Sequence, residues 1–505
     1  VKYAYLSGIF AASLVACNHE APPVHVPPPT AVPSVAKVPE AVPTTPDAPF
    51  RAHAPAAGPE PVFAPPTVVE AHLKNGLPVY LITRPGLPLV SLQLVARGGA
   101  ALPSLAPGLA TFATGLLAEG TKKRTAAELA DYTDSRGLSF YATADFDAAS
   151  IGVKGTSDAL PEAVDLLAEL ALEPGFRKED VERERARRIH GVEVETTRLN
   201  SMANAPLANA LFGAGHPYGA PLLGTKSSAS AWSPADVAKA HSTLFSPGRS
   251  AIFVAGNFEA SALLPLLEKA FARYAPPGKK VQTAPAIPTS KATPPRLVFV
   301  DKPGAPQAQL AIAKRGTTFA DPDYFPLAVG NELFGGAFSS RINLNLREKN
   351  AFTYGARSSV GFRHGEGPFV ISTGVFVDKT APAIREIFQE LQRMSDEAAT
   401  DEELALAKGH LRLTLPARFE TNDQVASSFA QLFIQEFPLS FYATRNAKID
   451  AVTSTAIQAA AKKHLDPKQF TVVIVGDRSK ILPTLGPLNL GTPLFVDGTG
   501  AAPSK

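Results

Sequence analysis

The strongest constraint on this chain is that it repeats itself once, at a spacing near 220 residues. "LPVYLITRPGLPLVSLQLVARGGA" (77–100) resembles "PRLVFVDKPGAPQAQLAIAKRGTT" (295–318), with Pro85 set against Pro303. "SDALPEAVDLLAELALEPGF" (157–176) resembles "DKTAPAIREIFQELQRM" (378–394), and Pro161 falls against Pro382. "LFSPGRSAIFVAGNFE" (244–259) resembles "HLDPKQFTVVIVGDRS" (464–479), pairing Gly256 with Gly476. The offsets of 218, 221 and 220 agree and keep one order, which marks a duplicated unit.

Each unit opens with two strands around a Pro-Gly turn and continues with an amphipathic helix of three- and four-residue apolar spacing. It closes with a helix, a Pro turn and a continuous apolar strand. Units of this length are ordinary single domains. The expected fold is therefore α+β: two duplicated domains, each a mixed β-sheet covered by helices, facing each other around a cavity. The domains are placed at 67–275 and 296–490. The low-complexity stretch within 276–295 is read as their linker and 491–505 as a tail.

Residues 1–17, "VKYAYLSGIFAASLVAC", combine Lys2, a short apolar run and small residues before the chain's single cysteine, Cys17. That is a secretory signal pattern, and "LVAC" has the form of a bacterial lipoprotein signal with Cys17 as the lipidation site. Fifteen of the 46 positions from 21 to 66 are proline, so residues 18–66 are expected to form an extended tether. The expected location is periplasmic and lipid-anchored, with the outer membrane favoured because Asn18 follows the cysteine. A 45% hydrophobic, 19% charged composition describes a folded protein, and a net charge of +3 over 505 residues gives no footprint for nucleic acid.

Little in the sequence offers catalysis directly. The ten histidines stand at 19, 25, 53, 72, 190, 216, 241, 364, 410 and 464, and no two are close enough to share one helix face as a metal pair. There is no G-x-S-x-G elbow, no Walker loop, and no cysteine besides Cys17. "RKEDVERERARRIHGVEVE" (177–195) alternates charge sign as a solvated helix face does, and "HPYG" (216–219) reads as a turn.

Four stretches carry a family likeness. "LKNGLPVYLI" (73–82), "GLATFATGLLAEGT" (108–121), "FGGAFSSRINLNLREKNAFTYGARSS" (334–359) and "DEELALAKGHLRLTL" (401–415) resemble the pitrilysin/insulinase-type zinc metallopeptidases, in their bacterial, processing-peptidase-like branch. The resemblance covers residues 67 to about 490. Active members hold zinc with H-x-x-E-H on the helix that "GLATFATGLLAEGT" matches, the two His as ligands and the Glu as general base. Here those positions carry Thr111, Thr114 and Gly115, none of which can do that work. The third ligand would fall near Gly191, with Glu193 close by.

The family also uses an Arg and a Tyr seven residues apart in the second half, to bind substrate and stabilise the developing oxyanion. Arg347 and Tyr354 have that spacing. From spacing alone, Arg347 beside Glu348 and Lys349 reads as a solvated helix face, and Tyr354 as strand packing. The resemblance makes them candidate catalytic residues acting in trans. It implies a non-catalytic subunit of a heterodimeric zinc peptidase of the cell envelope, with no metal in this chain. Zinc is expected in a homologous partner with the intact motif, and unfolded or short peptides are the expected substrates. The alternative is a peptide-binding or structural scaffold without proteolysis.

Overall fold

The computed structural model describes Gly58, residues 62–274 and residues 282–502. The segment expected to be a signal, Cys17 and nearly all of the proline-rich stretch lie outside the described residues. The folded part is a compact unit that begins at Phe63.

The duplication is visible strand for strand. The first half contains β1 (Val69–His72), β2 (Pro78–Thr83), β3 (Leu89–Arg97), β4 (Ser139–Ala144), β5 (Ala148–Thr156) and β6 (Ser250–Gly256), in the order β1-β2-β6-β3-β5-β4. The second contains β7 (Leu297–Asp301), β8 (Gln307–Arg315), β9 (Ala356–Val360), β10 (Pro368–Phe376), β11 (Thr471–Gly476) and β12 (Leu494–Val496), in the order β12-β7-β11-β8-β10-β9. Both sheets are mixed: β2 runs parallel to β6 and β7 to β11, while the remaining inner pairs are antiparallel.

The halves differ at one edge. β1 precedes β2 and pairs with it antiparallel, whereas β12 comes from the end of the chain and adds parallel to β7. Within 491–505, expected from sequence to be a tail, Leu494–Val496 thus close the second sheet. An unpaired edge next to β7 would leave a row of free N–H and C=O groups, which explains why the chain returns there.

Eight helices shape the core and the candidate site: α1 (Leu109–Gly115), α2 (Leu160–Leu172), α3 (Lys178–Glu195), α4 (Asn204–Phe212), α5 (Tyr324–Asn331), α6 (Thr380–Asp396), α7 (Asp401–Leu413) and α8 (Asn422–Ile434). α2 and α6 are the amphipathic helices of the repeat, and each buries its apolar stripe in the core of its own half. The other sheet faces are covered by exchange. α8, from the second half, lies across β3 and β6, with Phe429 and Phe433 packed among Ile82, Val95 and Phe253. α4, from the first half, lies across β8 and β11, with Leu207 and Leu211 among Val298, Ala311 and Val473.

This exchange explains why "SAIFVAG" and "TVVIVG" are apolar without alternation. Every residue of β6 and β11 is buried, because one face meets the half's own helices and the other meets a borrowed one. The seam has a polar clamp as well. Asp423, in the first turn of α8, accepts from Ser91 Oγ at 3.1 Å, Gln93 Nε2 at 3.0 Å and Tyr141 Oη at 3.2 Å. The two halves therefore form one rigid frame on which the candidate residues sit.

Candidate functional site

α1 buries Leu109, Ala110, Phe112, Ala113 and Thr114, leaving Thr111 half-buried and Gly115 exposed. It begins at Gly108, whose φ of +84° and whose approach to Gly224 leave no room for a side chain: a Cβ would stand 2.5 Å from Gly224 Cα. The two threonines satisfy themselves locally. Thr114 Oγ1 lies 3.2 Å from the carbonyls of both Ala110 and Thr111, and Thr111 Oγ1 donates to Leu222 O at 2.8 Å.

The remaining space is taken by a cation of the protein's own. Arg188, on α3, donates from Nη1 to Thr111 Oγ1 at 2.8 Å and from Nη2 to Thr111 O at 3.2 Å. Its guanidinium lies 5.6 Å from the centre of the Phe112 ring. Nη2 is also 3.9 Å from where a Cβ on Gly115 would stand. Burial pushes the Arg188 pKa down, and Glu184 offsets part of that shift. The residues matching the family's two His thus face a guanidinium, and Glu193 is engaged elsewhere, on Lys226 Nζ at 2.7 Å at the exposed end of α3. These residues do not fit a zinc ion.

Arg188 lies in the stretch read as a solvated face, and part of that face is one: Arg183 and Arg187, both open to solvent, pair with Glu119, whereas Arg185 turns inward and donates to Trp232 O. The exception was signalled by spacing. Val181, Arg185, Arg188 and Val192 recur at three and four residues, which is the inward stripe of the helix.

Among the described residues one group of side chains has the geometry of a cation site, namely Asp321, Asp323 and His464, whose ligand atoms lie within 4.8 Å of one another. Lys463 already supplies the positive charge, 2.7 Å from Asp323 and 4.0 Å from Asp321.

The second half presents its candidates on the surface. After α5 the chain makes widened helical turns, in which Ala337 N bonds Glu332 O and Asn350 N bonds Asn345 O, five residues apart in each case. Such turns cluster at functional sites. Arg347 sits in the second of them, with its guanidinium 4.5 Å from the centre of the Phe338 ring and Nε 3.4 Å from Glu348. Tyr354 lies just before β9, 85% exposed and with no hydrogen-bond partner among the described residues. Phe338 is 69% exposed. Tyr354 is therefore not packed in a sheet, as spacing alone had suggested.

One buried side chain ties these segments together. Asn343 donates from Nδ2 to Phe338 O at 2.6 Å and accepts from Ala356 N at 3.0 Å on Oδ1. It fixes the loop bearing Phe338 against the strand that follows Tyr354. Nearby, Arg341 is buried in a fork with Glu403, Nε to Oε1 at 2.6 Å and Nη2 to Oε2 at 2.8 Å, which holds the Glu403 carboxyl down at about 2. Sequence reading gave no role to Asn343 or Arg341. Their signal, polar residues within the apolar spacing of "SSRINLNLRE", is visible only once the segment is known to be buried.

"HPYG" forms the expected turn at Pro217–Gly219, and Tyr218 is buried there with its hydroxyl on Asp147 Oδ1 at 2.7 Å.

Comparison with known proteins agrees with this architecture. Residues 83–226 match the model of the insulinase family of peptidases, M16, and residues 231–411 match that of the peptidase M16 inactive domain. An uncharacterized zinc protease of Mycobacterium bovis is 26% identical over 373 residues, covering 73% of this chain and 84% of the relative. A peptidase M16 inactive domain from Pseudomonas fluorescens superimposes with a TM-score of 0.73 at 22% identity, over 81% of this chain and 98% of that one. A protease from Helicobacter pylori gives 0.72 at 21% identity, over 82% and 100%. The chain belongs to the pitrilysin/insulinase-type M16 peptidase family, as a member in which the zinc-binding positions of the first half carry Thr111, Thr114 and Gly115.

Proposed function

We propose that this chain is the zinc-free subunit of a two-chain M16 peptidase, lending Arg347 and Tyr354 to a zinc site held by a homologous partner. The observation that carries the reading is an asymmetry between the halves. In the first, Thr111 and Thr114 are satisfied within the chain and Arg188 closes on Thr111. In the second, Arg347, Tyr354 and Phe338 stand out on a buried, hydrogen-bonded base with little in this chain to meet them.

The chemistry suits that use. When water attacks a peptide carbonyl, negative charge gathers on the carbonyl oxygen, and a Tyr hydroxyl placed there stabilises it. A guanidinium can hold a neighbouring carbonyl of the substrate through two N–H groups. Zinc, when bound by the partner, would supply the activated water. Enclosure between two chains would admit unfolded or short peptides. The signal segment ending at Cys17 supports placing the pair at the periplasmic face of a membrane, on a lipid anchor.

The test is purification of the chain from detergent-solubilised envelope, with a peptide-cleavage assay on what co-purifies. A stoichiometric H-x-x-E-H partner and chelator-sensitive cleavage are expected. Arg347→Ala and Tyr354→Phe should each lower turnover by about tenfold or more while the two chains still co-purify. Recovery without such a partner and without cleavage would assign the chain to the scaffold alternative.

A further inference from the structure

A cavity of about 530 Å³ opens beside the erased site, between the halves. One wall is the outer side of α4, including Leu207, Ala208 and Leu211, and another is the Pro221–Thr225 loop, whose Leu222 carbonyl takes the Thr111 hydroxyl. Its floor is closed by Gly498 and Thr499, just beyond β12. Size and lining are those of a site for a small apolar ligand rather than of a packing defect.

One charged group faces this space without a partner. Arg363, from the second half, lies with its guanidinium 4.2 Å from the centre of the Phe146 ring and 4.6 Å from that of Tyr218. It makes no hydrogen bond or ion pair through its side chain among the described residues. The acids nearest to it are engaged by others. Asp147 Oδ1 accepts from the Tyr218 hydroxyl at 2.7 Å and its Oδ2 from His364 N at 3.4 Å, while Asp145 accepts from Asp147 N and Ala148 N, each at 2.7 Å. A guanidinium set against two aromatic rings with its N–H groups free is placed to receive an acceptor that enters the cavity. At the other end of the cavity Glu193 and Lys226 neutralise each other.

We propose that this cavity binds a single-chain amphiphile, a long-chain carboxylate, with the tail along α4 and the Pro221–Thr225 loop and the carboxylate on Arg363. An apolar wall ending in one unpaired guanidinium matches that ligand at both ends. The proposal is independent of the peptidase reading, since it uses neither Arg347 nor Tyr354.

The test is calorimetric titration of the full chain with dodecanoate, dodecanol and a lysophosphatidylglycerol, each below its micellar concentration. Dodecanoate should bind once per chain and at least about tenfold more tightly than dodecanol. Arg363→Gln should bring the acid to the level of the alcohol, and Ala208→Trp, which fills the cavity from the surface of α4, should abolish both. Equal binding of acid and alcohol by the unaltered chain would overturn the proposal. So would acid binding that survives Ala208→Trp, no saturable binding at all, or tighter binding of the lysolipid than of the free acid. The comparison of acid with alcohol decides the matter even if Arg363→Gln fails to fold.

Discussion

If Arg188 occupies the place of the missing ion, restoring the ligands alone will not restore the metal. The perturbation is a four-site variant, Thr111→His, Thr114→Glu, Gly115→His and Gly191→Glu. The last position is open, since a Cβ on Gly191 meets nothing within 4 Å, and it stands one turn along α3 from Arg188. A His at 115 would start 3.9 Å from Arg188 Nη2, so an ion held by that side chain would lie about 5 Å from the guanidinium. Charges of +2 and +1 at about 5 Å, with an effective dielectric constant near 20, repel by about 7 kcal/mol, roughly five powers of ten in affinity. The four-site variant should therefore emerge from dialysis against micromolar zinc without stoichiometric metal, by elemental analysis. Adding Arg188→Ala should bring it to about one zinc per chain. Stoichiometric zinc in the four-site variant with Arg188 present would refute the argument. Failure of the five-site variant to bind would refute it too, because the obstacle would then be backbone geometry.

Three further outcomes are expected. Asn343→Ala strands Phe338 O and Ala356 N and should cost about 2–4 kcal/mol in thermal or urea unfolding, with turnover of the assembled pair falling further than Arg341 substitutions of equal destabilisation produce. Phe429→Ala, at the centre of the exchanged α8 seam, should cost about 3–5 kcal/mol and expose both halves to proteolysis together, since each covers the other's sheet. His241 is buried between Phe176 and Phe245, and desolvation lowers its pKa from 6.5 to about 4. Its neutral form is the one the fold accepts, so its contribution is complete above pH 6.5 and is lost as pH falls from there to about 4. The loss should be about 3 kcal/mol, and His241→Leu should remove that part of the acid slope in urea unfolding at pH 7 and pH 4.5.

The duplication made the fold legible. Pro85 and Pro303, Pro161 and Pro382, and Gly256 and Gly476 mark strands and helices that the structure places at equivalent positions in both halves. Exchange of α4 and α8 was not legible, because an apolar helix face reads the same whether it packs on its own sheet or on its twin's. β12 was hidden for a related reason. Three residues in a Pro- and Gly-rich stretch carry no period, and only the open edge of β7 recruits them. At the first-half site the sequence shows the loss of the ligands but not their replacement, since a guanidinium folded inward is indistinguishable from one in water until α3 is oriented.

That orientation bears on what the two halves are for. A polar pocket that no longer meets a ligand is unstable as it stands, because each buried donor or acceptor left open costs about 1–3 kcal/mol. The first half has answered this cost: Thr114 bonds to carbonyls of its own turn, Thr111 to the Leu222 carbonyl, and Arg188 closes the gap. The second half has not closed over Arg347 and Tyr354. It spends buried polar groups, Asn343 and the Arg341–Glu403 fork, on holding an aromatic and cationic surface outward, where Phe338 and Tyr354 gain nothing from burial in this chain. On the reading proposed above, a surface held outward in this way is the face that meets the partner chain. A chain serving only as a scaffold would need the interlocked frame and not this loop, so Asn343, rather than the erased zinc helix, separates the two functional readings most sharply.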